Sequence, residues 1–311
     1  MSGEPAVFDC GPAAFARAFG EELSPRVAER AVAYGIRCRR MSAIERDGWL
    51  RRIMVTLLDT PLSRAGERRL ADWENGWQEN LDRFLAAPCL ESLTPSYFGK
   101  YPALRLNGEL VAPAGPTCEQ DMLAVVGDWL FDAWLARAPA VYEFGCGTGH
   151  NLFRVRWANP TARLYGCDWA GSSNRLVAAI AASGLLGRLE ARRFDIFRPD
   201  PALRLEPDAA VCTVAALEQV GEGFAPFLDY LLKNRPSVCV HIEPVAELLD
   251  PERLLDYLSI RYFEKRGYLS GFLHELRRRE VLGQLEILKA QRTNVGSLYI
   301  EGYAAVVWRP R

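Results

Sequence analysis

The sequence predicts an α/β fold with a doubly wound, mostly parallel sheet. From about residue 140 onward, apolar segments of strand length alternate with helical segments, which is the order expected of parallel strands covered by helices. One predicted strand, 141–145, runs into three glycines at alternate positions, so a tight turn and a helix start follow it. Near the C-terminus, segments 285–290 and 302–308 flank a loop at 291–299, which predicts an antiparallel hairpin.

The other predicted elements follow in regular order after residue 138. Strands are predicted at 141–145, 163–168, 189–194, 209–214 and 237–243. Helices are predicted at about 150–157, 172–183 and 224–233, and a longer helical stretch at 252–282 is interrupted around Gly267 and Gly271. Together with the C-terminal hairpin, these segments form a predicted domain at 120–311.

Residues 1–119 have a different pattern and predict a mainly helical N-terminal region. Helical periodicity covers 12–34, 42–58 and 66–87. The Asn107-Gly108 pair predicts a type I′ hairpin turn. An aromatic stripe that includes Trp73 and Trp77 is more typical of a core than of a binding site.

Composition and charge narrow the class of protein. At 311 residues and 49% apolar, the chain can bury one large core and still form a smaller additional unit. The net charge is −1 and the sequence pI is about 6.4, so no broad basic surface favours a nucleic-acid partner. No segment resembles a signal peptide or approaches the length of a membrane span, so we expect no membrane partner.

The cysteines are scattered and contain no Cys-x-x-Cys pair, so zinc-ribbon spacing is absent and no metal is predicted. We interpret them as reduced thiols of a cytoplasmic protein. They are Cys10, Cys38, Cys89, Cys118, Cys146, Cys167, Cys212 and Cys239.

The glycine turn predicts a nucleotide-type ligand. Gly145, Gly147 and Gly149 allow a sharp turn and a close approach of the backbone to a ligand. A dinucleotide fingerprint would need a small residue directly after Gly149, and the residue there is His150, which weakens an NAD interpretation. His150 itself is either structural or close to a ligand.

An acidic residue two positions before the first glycine gives the pattern Glu143-x-Gly-x-Gly-x-Gly. This pattern resembles motif I of class I S-adenosylmethionine (SAM)-dependent methyltransferases, which have a Rossmann-like fold. The resemblance covers about residues 120–309 and implies SAM as cofactor. It also implies that an N-terminal extension lies over the carboxyl ends of the strands as a lid.

Further positions match the order of that family. Asp168 ends the second strand, where the family holds the ribose hydroxyls, and Asp195 stands where the family has an acceptor for the adenine amino group. Trp169 could stack on the adenine. Either aspartate could instead be an ordinary strand-end or N-cap residue. The implied cofactor residues are Glu143, Gly145, Gly147, Gly149, Asp168, Trp169, Asp195, Ile196 and Thr213.

Candidates for chemistry follow strands four and five, because ligands of open α/β sheets bind outside the carboxyl ends of the strands. Glu218, His241 and Glu243 are candidate catalytic residues. His241 could titrate near neutral pH, and a structural role is equally compatible. Glu218 and Glu243 could act as bases, bind an amine or only shape the pocket. Tyr97, Gln219 and Arg292 are candidate substrate-binding residues.

The leading hypothesis is methyl transfer from SAM to an oxygen or nitrogen of a small metabolite, in secondary metabolism or sugar modification. No Asn-Pro-Pro-Tyr motif, Lys-Asp-Lys-Glu set or acidic metal-binding trio is present, which disfavours nucleic-acid methylation and metal-dependent O-methylation.

Two alternatives stay open. One is a SAM-consuming enzyme that cyclises SAM or transfers its aminocarboxypropyl group, releasing methylthioadenosine. The other is a non-catalytic SAM-binding or NAD-binding module. The sequence is compatible with different acceptor substrates and with a homodimer.

Overall fold

The computed structural model describes residues 6–311, and its elements confirm the predicted α/β class. The strands are β1 Val7–Asp9, β2 Arg37–Arg40, β3 Leu104–Leu106, β4 Glu109–Pro113, β5 Ala140–Phe144, β6 Arg163–Asp168, β7 Leu189–Arg193, β8 Ala210–Val214, β9 Val238–Glu243, β10 Leu285–Gln291, β11 Val295–Gly296 and β12 Ala304–Pro310. The α-helices are α1 Pro12–Phe19, α2 Pro25–Ala33, α3 Ala43–Asp59, α4 Leu70–Ala86, α5 Cys118–Trp134, α6 His150–Ala158, α7 Gly171–Ser183, α8 Ala225–Asn234, α9 Leu254–Arg266 and α10 Phe272–Val281.

The main sheet has seven strands in the order β10-β12-β9-β8-β5-β6-β7. Strands β5 to β9 pair in parallel. Strand β12 is antiparallel to both β9 and β10, so β10 runs in the same direction as the other five. The predicted C-terminal hairpin is therefore confirmed, and its second strand is the one that enters the sheet beside β9.

The side chains of the central strands alternate between two apolar layers. Val141 packs in the cluster that contains α5, α6 and α7. Tyr142 and Phe144 pack on the opposite face, with α8 and α10. Every residue of β5 and of β9 is buried, as expected of strands covered on both faces. Strand β7, at the edge, is largely exposed and ends with two arginines.

A second sheet of five antiparallel strands, in the order β1-β2-β4-β3-β11, was not predicted. Four of its strands lie in the mainly helical N-terminal region, and β11 comes from the loop between β10 and β12. The predicted Asn-Gly turn is confirmed, since Asn107 and Gly108 have φ of +53° and +78°. The two regions of the chain therefore share one sheet.

Two helical segments are divided by glycines with positive φ. The predicted helix 12–34 is two helices, because Gly20 (φ +69°) ends α1. The interruption predicted in 252–282 is confirmed, since Gly267 (φ +61°) ends α9 and Gly271 (φ +77°) precedes α10.

All eight cysteines are free thiols, and all but Cys89 are buried. None of the helices described between residues 6 and 311 has the length and apolar character needed to cross a bilayer.

A buried arginine connects the small sheet to the rest of the molecule. Arg105, on β3, is only 3% exposed. Its guanidinium donates to the carbonyl oxygens of Leu255 (2.7 Å), Leu298 (3.2 Å) and Tyr299 (2.9 Å), and to Ser259 Oγ (2.7 Å). Burial lowers the pKa of Arg105 to about 10. One side chain thus joins β3, α9 and the loop before β12.

We expect Arg105→Met to lower the free energy of unfolding by about 2–4 kcal/mol, because three buried carbonyl groups lose their donor. Arg261→Met is the matched control, since Arg261 is an exposed residue of α9 that pairs with Glu264. It should cost at most about 1 kcal/mol. Urea denaturation measures both variants, and equal losses would contradict the structural role of Arg105.

Candidate functional site

A cavity of about 420 Å³ lies at the carboxyl ends of the parallel strands, a volume in the range of small-molecule sites. Residues that follow β5, β6, β7 and β8 form one part of its wall. The N-terminal region, α9 and the loop before β12 form the rest. The cavity therefore brings together segments that are far apart in the chain.

The glycine turn after β5 forms the floor of the cavity, and Gly145 and Gly147 line it. Gly145, Gly147 and Gly149 have φ of +71°, +54° and +74°. A Cβ on Gly145 would collide with the Cβ of Ala216, and one on Gly147 would lie 2.8 Å from the Trp77 ring. Both the backbone conformation and the packing therefore require glycine at these two positions.

Asp168 lies at the end of β6, directly beside the glycine turn. Its Oδ2 accepts a hydrogen bond from the Gly147 backbone N–H (2.9 Å), and its Oδ1 accepts one from Ala170 (2.9 Å). Each carboxylate oxygen can accept two hydrogen bonds, so the carboxylate can still accept from a ligand hydroxyl. Burial raises the pKa of Asp168 to about 6, against the effect of these hydrogen bonds.

Next to Asp168, the cavity wall is apolar and aromatic. Trp169, Phe194, Ile196 and Phe197 line it, and the rings of Trp169 and Phe197 have centroids 5.6 Å apart. Asp195 does not line this cavity, because its carboxylate accepts from the Phe197 N–H (2.9 Å) and pairs with Arg198 (3.2 Å). Asp195 and Trp169 line a smaller neighbouring hollow instead.

Glu143 is fully buried behind the glycine turn rather than in the cavity wall. Its Oε1 accepts from Asn151 (3.0 Å), which does line the cavity. Its Oε2 has no hydrogen-bond partner within residues 6–311. Burial raises the pKa of Glu143 to about 8, so the carboxyl group is mostly protonated at neutral pH.

His241 is fully buried and lies outside the cavity. Its Nε2 accepts from Trp308 Nε1 (3.0 Å), so its Nδ1 carries the hydrogen and donates to Thr213 Oγ1 (2.9 Å). Burial lowers its pKa to about 3. With both nitrogens used inside the core, His241 cannot reach a ligand as a base, and Thr213 is likewise outside the cavity wall.

Glu243 is also fully buried and does not line the cavity. Its oxygens accept from the backbone N–H groups of Ala216 (3.0 Å) and Glu218 (3.1 Å). Burial raises its pKa to about 7. Glu243 thus holds the short 3₁₀ turn Leu217–Gln219 in place instead of contacting a ligand.

Glu218 and Gln219, on that turn, do line the cavity. Gln219 Nε2 donates to Glu218 Oε1 (2.7 Å), and Gln219 Oε1 accepts from Arg69 (2.9 Å). Burial, followed by the nearby charge of Glu243, raises the pKa of Glu218 to about 8. Glu218 is therefore the predicted catalytic residue that the structure places in the cavity.

Of the predicted substrate residues, Tyr97 and Gln219 line the cavity and Arg292 does not. The Arg292 guanidinium pairs with Asp256 (2.7 Å) and Glu301 (2.6 Å), so it is used in holding α9 and the last loop together.

The sequence also indicates the segment 95–101 as one that approaches the ligand, and its Lys100 and Tyr101 line the cavity together with Tyr97. Sequence reasoning missed other side chains of this wall, which include Glu119, Tyr262, Arg266, Tyr268 and Tyr299. Tyr262 and Arg266 are four residues apart on α9, the spacing of one helix face, which is the signal that could have found them.

The N-terminal helix α4 lies against the glycine turn. Trp73 and Trp77 stack on each other (5.3 Å) and line the cavity, although their spacing is more typical of a core. Glu74 accepts from the Ser172 N–H (2.8 Å) and so binds the start of α7. His150 lines the cavity, its Nδ1 lies 2.9 Å from Thr148 Oγ1, and burial lowers its pKa to about 3.

No protein-family model and no curated protein matches the chain. Among solved structures it is similar to N,N-8-amino-8-demethyl-D-riboflavin dimethyltransferase from Streptomyces davawensis, with 16% identity over 84% of this chain and 73% of that chain and a TM-score of 0.43. It is also similar to the N-methyltransferase NodS from Bradyrhizobium japonicum WM9 (12% identity, 76% and 98% covered, TM-score 0.44). A third is magnesium protoporphyrin IX methyltransferase from Synechocystis PCC 6803 (16%, 62% and 83%, TM-score 0.43).

We expect Gly145→Ala to destabilise the protein by about 3 kcal/mol, because it adds a collision with Ala216 to the strain of a left-handed backbone. Gly184→Ala is the control, since Gly184 has φ of +77° with no atom within 4 Å of the added Cβ. It should cost only the strain, about 1 kcal/mol. Chemical denaturation compares the two, and equal losses would mean that the packing at Gly145 is not tight.

The raised pKa of Glu218 makes a prediction about stability and pH. Its pKa rises from 4.5 to about 8 on folding, so the folded state binds the extra proton between these values. The stabilising contribution is therefore complete below about pH 4.5 and is lost as pH rises through about 8.

We expect Glu218→Gln to make the free energy of unfolding less dependent on pH, by up to about 1.4 kcal/mol per pH unit between about pH 5.5 and 7.5. Urea denaturation at several pH values measures this slope. Glu222→Gln, at an exposed position nearby, should leave the slope unchanged. A wild-type slope in Glu218→Gln would show that Glu218 is ionised in the folded protein.

Proposed function

We propose that the protein is a SAM-dependent methyltransferase that acts on an oxygen or nitrogen of a small metabolite. The observation that carries this proposal is the hydrogen bond between the Gly147 N–H and the Asp168 carboxylate. It joins, at a cavity of small-molecule size, the glycine turn and the strand-end aspartate that resemble class I methyltransferase motifs. The two features that the sequence separates by 21 positions are in direct contact.

The sheet supports the same proposal. Class I methyltransferase sheets are closed by an antiparallel C-terminal hairpin, and β12 is the reversed strand between β9 and β10 here. His150, 8% exposed, stands where a dinucleotide-binding turn needs a small residue, which argues against NAD.

The cavity residues fit the proposed cofactor chemically. Gly145 and Gly147 present bare backbone to the cavity, and the Asp168 carboxylate can accept further hydrogen bonds from ribose hydroxyls. Trp169 and Ile196 line the apolar part of the cavity wall, against which we place the adenine. Glu143 and Gly149 would support the turn from behind, whereas Asp195 and Thr213 face other contacts.

SAM supplies a methyl group that is already activated by the sulfonium, so the protein has mainly to orient the acceptor and exclude water. Glu218 is the group we assign to proton transfer, since it lines the cavity and its pKa of about 8 lies close to neutral pH. Glu243 would act through Glu218, because it holds the Glu218 backbone.

We infer that residues 1–119 serve as a lid and substrate cap on the methyltransferase domain at 120–311. Trp73, Trp77 and Tyr97 line the cavity from the N-terminal side, which supports this role. A cytoplasmic location and a place in secondary metabolism belong to the same proposal, and the free cysteines are compatible with a reducing compartment. A homodimer stays a prediction.

Calorimetry tests the cofactor. We expect SAM and S-adenosylhomocysteine to bind and NAD not to bind. Asp168→Asn should weaken binding of S-adenosylhomocysteine by about 1–3 kcal/mol, because an amide offers only one acceptor oxygen. Asp195→Asn is the matched control and should bind nearly as well as the wild type, since Asp195 faces Arg198. An equal loss at Asp195 would contradict the proposed arrangement.

A folded protein that binds neither SAM nor S-adenosylhomocysteine would refute the proposal. Incubation with SAM alone separates the kinds of chemistry. A methyltransferase needs an acceptor, so no methylthioadenosine should form, whereas its release would indicate cyclisation.

A further inference from the structure

Arg266, the last residue of α9, lines the cavity, and no carboxylate within residues 6–311 forms an ion pair with it. Within residues 6–311 its side chain forms no ion pair and no hydrogen bond, and its Nε is buried and unsatisfied. The guanidinium lies 5.2 Å from the centroid of the Tyr268 ring. The Arg266 side chain lines the cavity with no carboxylate paired to it, so a ligand that brings an anionic group there gains a charge-assisted hydrogen bond.

The other cations of the cavity differ from Arg266. Arg69 is already used, because it donates to Gln219 (2.9 Å), pairs with Asp72 (3.2 Å) and lies over Trp73 (4.8 Å). Lys100 is exposed, so water can solvate its ammonium group. Arg266 is thus the partly buried cation of the cavity wall that has no ion-pair partner within residues 6–311.

Glu119 and Glu218 line the cavity without a direct ion pair to Arg266, although the positive charge of Arg266 acts to lower the pKa of Glu218. Glu119 accepts from the Gly99 N–H (2.9 Å), and Glu218 accepts from Gln219 (2.7 Å). No carboxylate of the described chain lies within 4 Å of the Arg266 nitrogens. A ligand would therefore have to bring the anionic group.

Tyrosines form a continuous aromatic wall beside Arg266. The rings of Tyr262 and Tyr299 stack at 5.1 Å with an interplanar angle of 17°. Tyr101 meets Tyr299 edge-on at 5.1 Å, and Tyr268 meets Tyr262 edge-on at 6.1 Å. Such a wall offers flat apolar surface and favours a planar ring.

We infer that the acceptor is an aromatic carboxylic acid whose carboxylate binds Arg266 and whose ring packs against the Tyr262–Tyr299 wall. This inference rests on the proposed function, in which the glycine turn holds the methyl donor and the tyrosine wall holds the acceptor. The hydroxyl or amine that is methylated then faces Glu218, which lines the same cavity. A guanidinium binds a carboxylate through two parallel hydrogen bonds, so it selects acids over amides.

Calorimetry in the presence of S-adenosylhomocysteine tests this with three probes. They are 4-hydroxybenzoate, its neutral analogue 4-hydroxybenzamide, and cyclohexanecarboxylate, an acid without an aromatic ring. We expect the wild type to prefer 4-hydroxybenzoate to each of the others about tenfold or more, because charge-assisted hydrogen bonds are among the stronger ones. The ratio of two affinities does not depend on how much of a sample is folded.

Arg266→Gln should abolish the preference for the acid over the amide, and Arg266→Lys should keep part of it. Arg261→Gln, on the exposed side of the same helix, should keep all of it. Lys100→Gln should also keep it. Loss of the preference in Lys100→Gln instead of Arg266→Gln would overturn the assignment.

Two wild-type results would overturn the inference as well. They are equal binding of acid and amide, and equal binding of the aromatic and the cyclohexane acid. If S-adenosylhomocysteine binds and none of the acids does, the acceptor inference fails while the proposed function stands. If S-adenosylhomocysteine itself does not bind, the proposed function fails.

Discussion

The rest of the candidate site is arranged around one hydrogen bond, from the Gly147 backbone N–H to the Asp168 carboxylate. It connects the ends of two neighbouring parallel strands, where the chain turns away from the sheet. Gly147 has a positive φ, and its N–H points to the end of β6. The Asp168 carboxylate accepts this hydrogen bond and keeps lone pairs for a ligand. Because both groups are buried, either one alone would be left desolvated, so the turn and the strand end stabilise each other.

The buried carboxyl groups near this hydrogen bond, those of Asp168, Glu243 and Glu143, have different roles because they contact different groups. Asp168 opens on the cavity, whereas Glu243 accepts two backbone N–H groups and fixes the turn that carries Glu218. Glu143 supports Asn151 from behind. None of these groups pairs with a buried cation, so burial raises the pKa of each of them. Glu243 thus serves as a backbone acceptor, whereas Asp168 and Glu218 line the cavity.

Local patterns were sufficient to predict the parallel strands, the glycine turn and the hairpin, because each has a short-range signal in spacing or turn chemistry. The fate of His241 could not be predicted in this way. Period-two alternation places it on one face of a strand, but the partner that removes it from the ligand, Trp308, comes from a strand 67 positions later. Arg292 and the small sheet depend in the same way on distant partners, since β1 has only three residues and β2 contains three arginines. Contacts between distant parts of the chain therefore decide which polar side chains remain free to bind a ligand.

The pairing of β11 with β3 has a consequence for how the molecule is made. It joins parts of the chain that lie far apart, and the contacts of Arg105 with Leu298 span 193 positions. Loop closure of this length is slow compared with the formation of the helices. During synthesis the glycine turn and Asp168 emerge well before Tyr299, so the nascent chain holds one half of the cavity without the other. The floor of the cavity can form early, while its aromatic wall is completed only after β11 and Tyr299 have been synthesised.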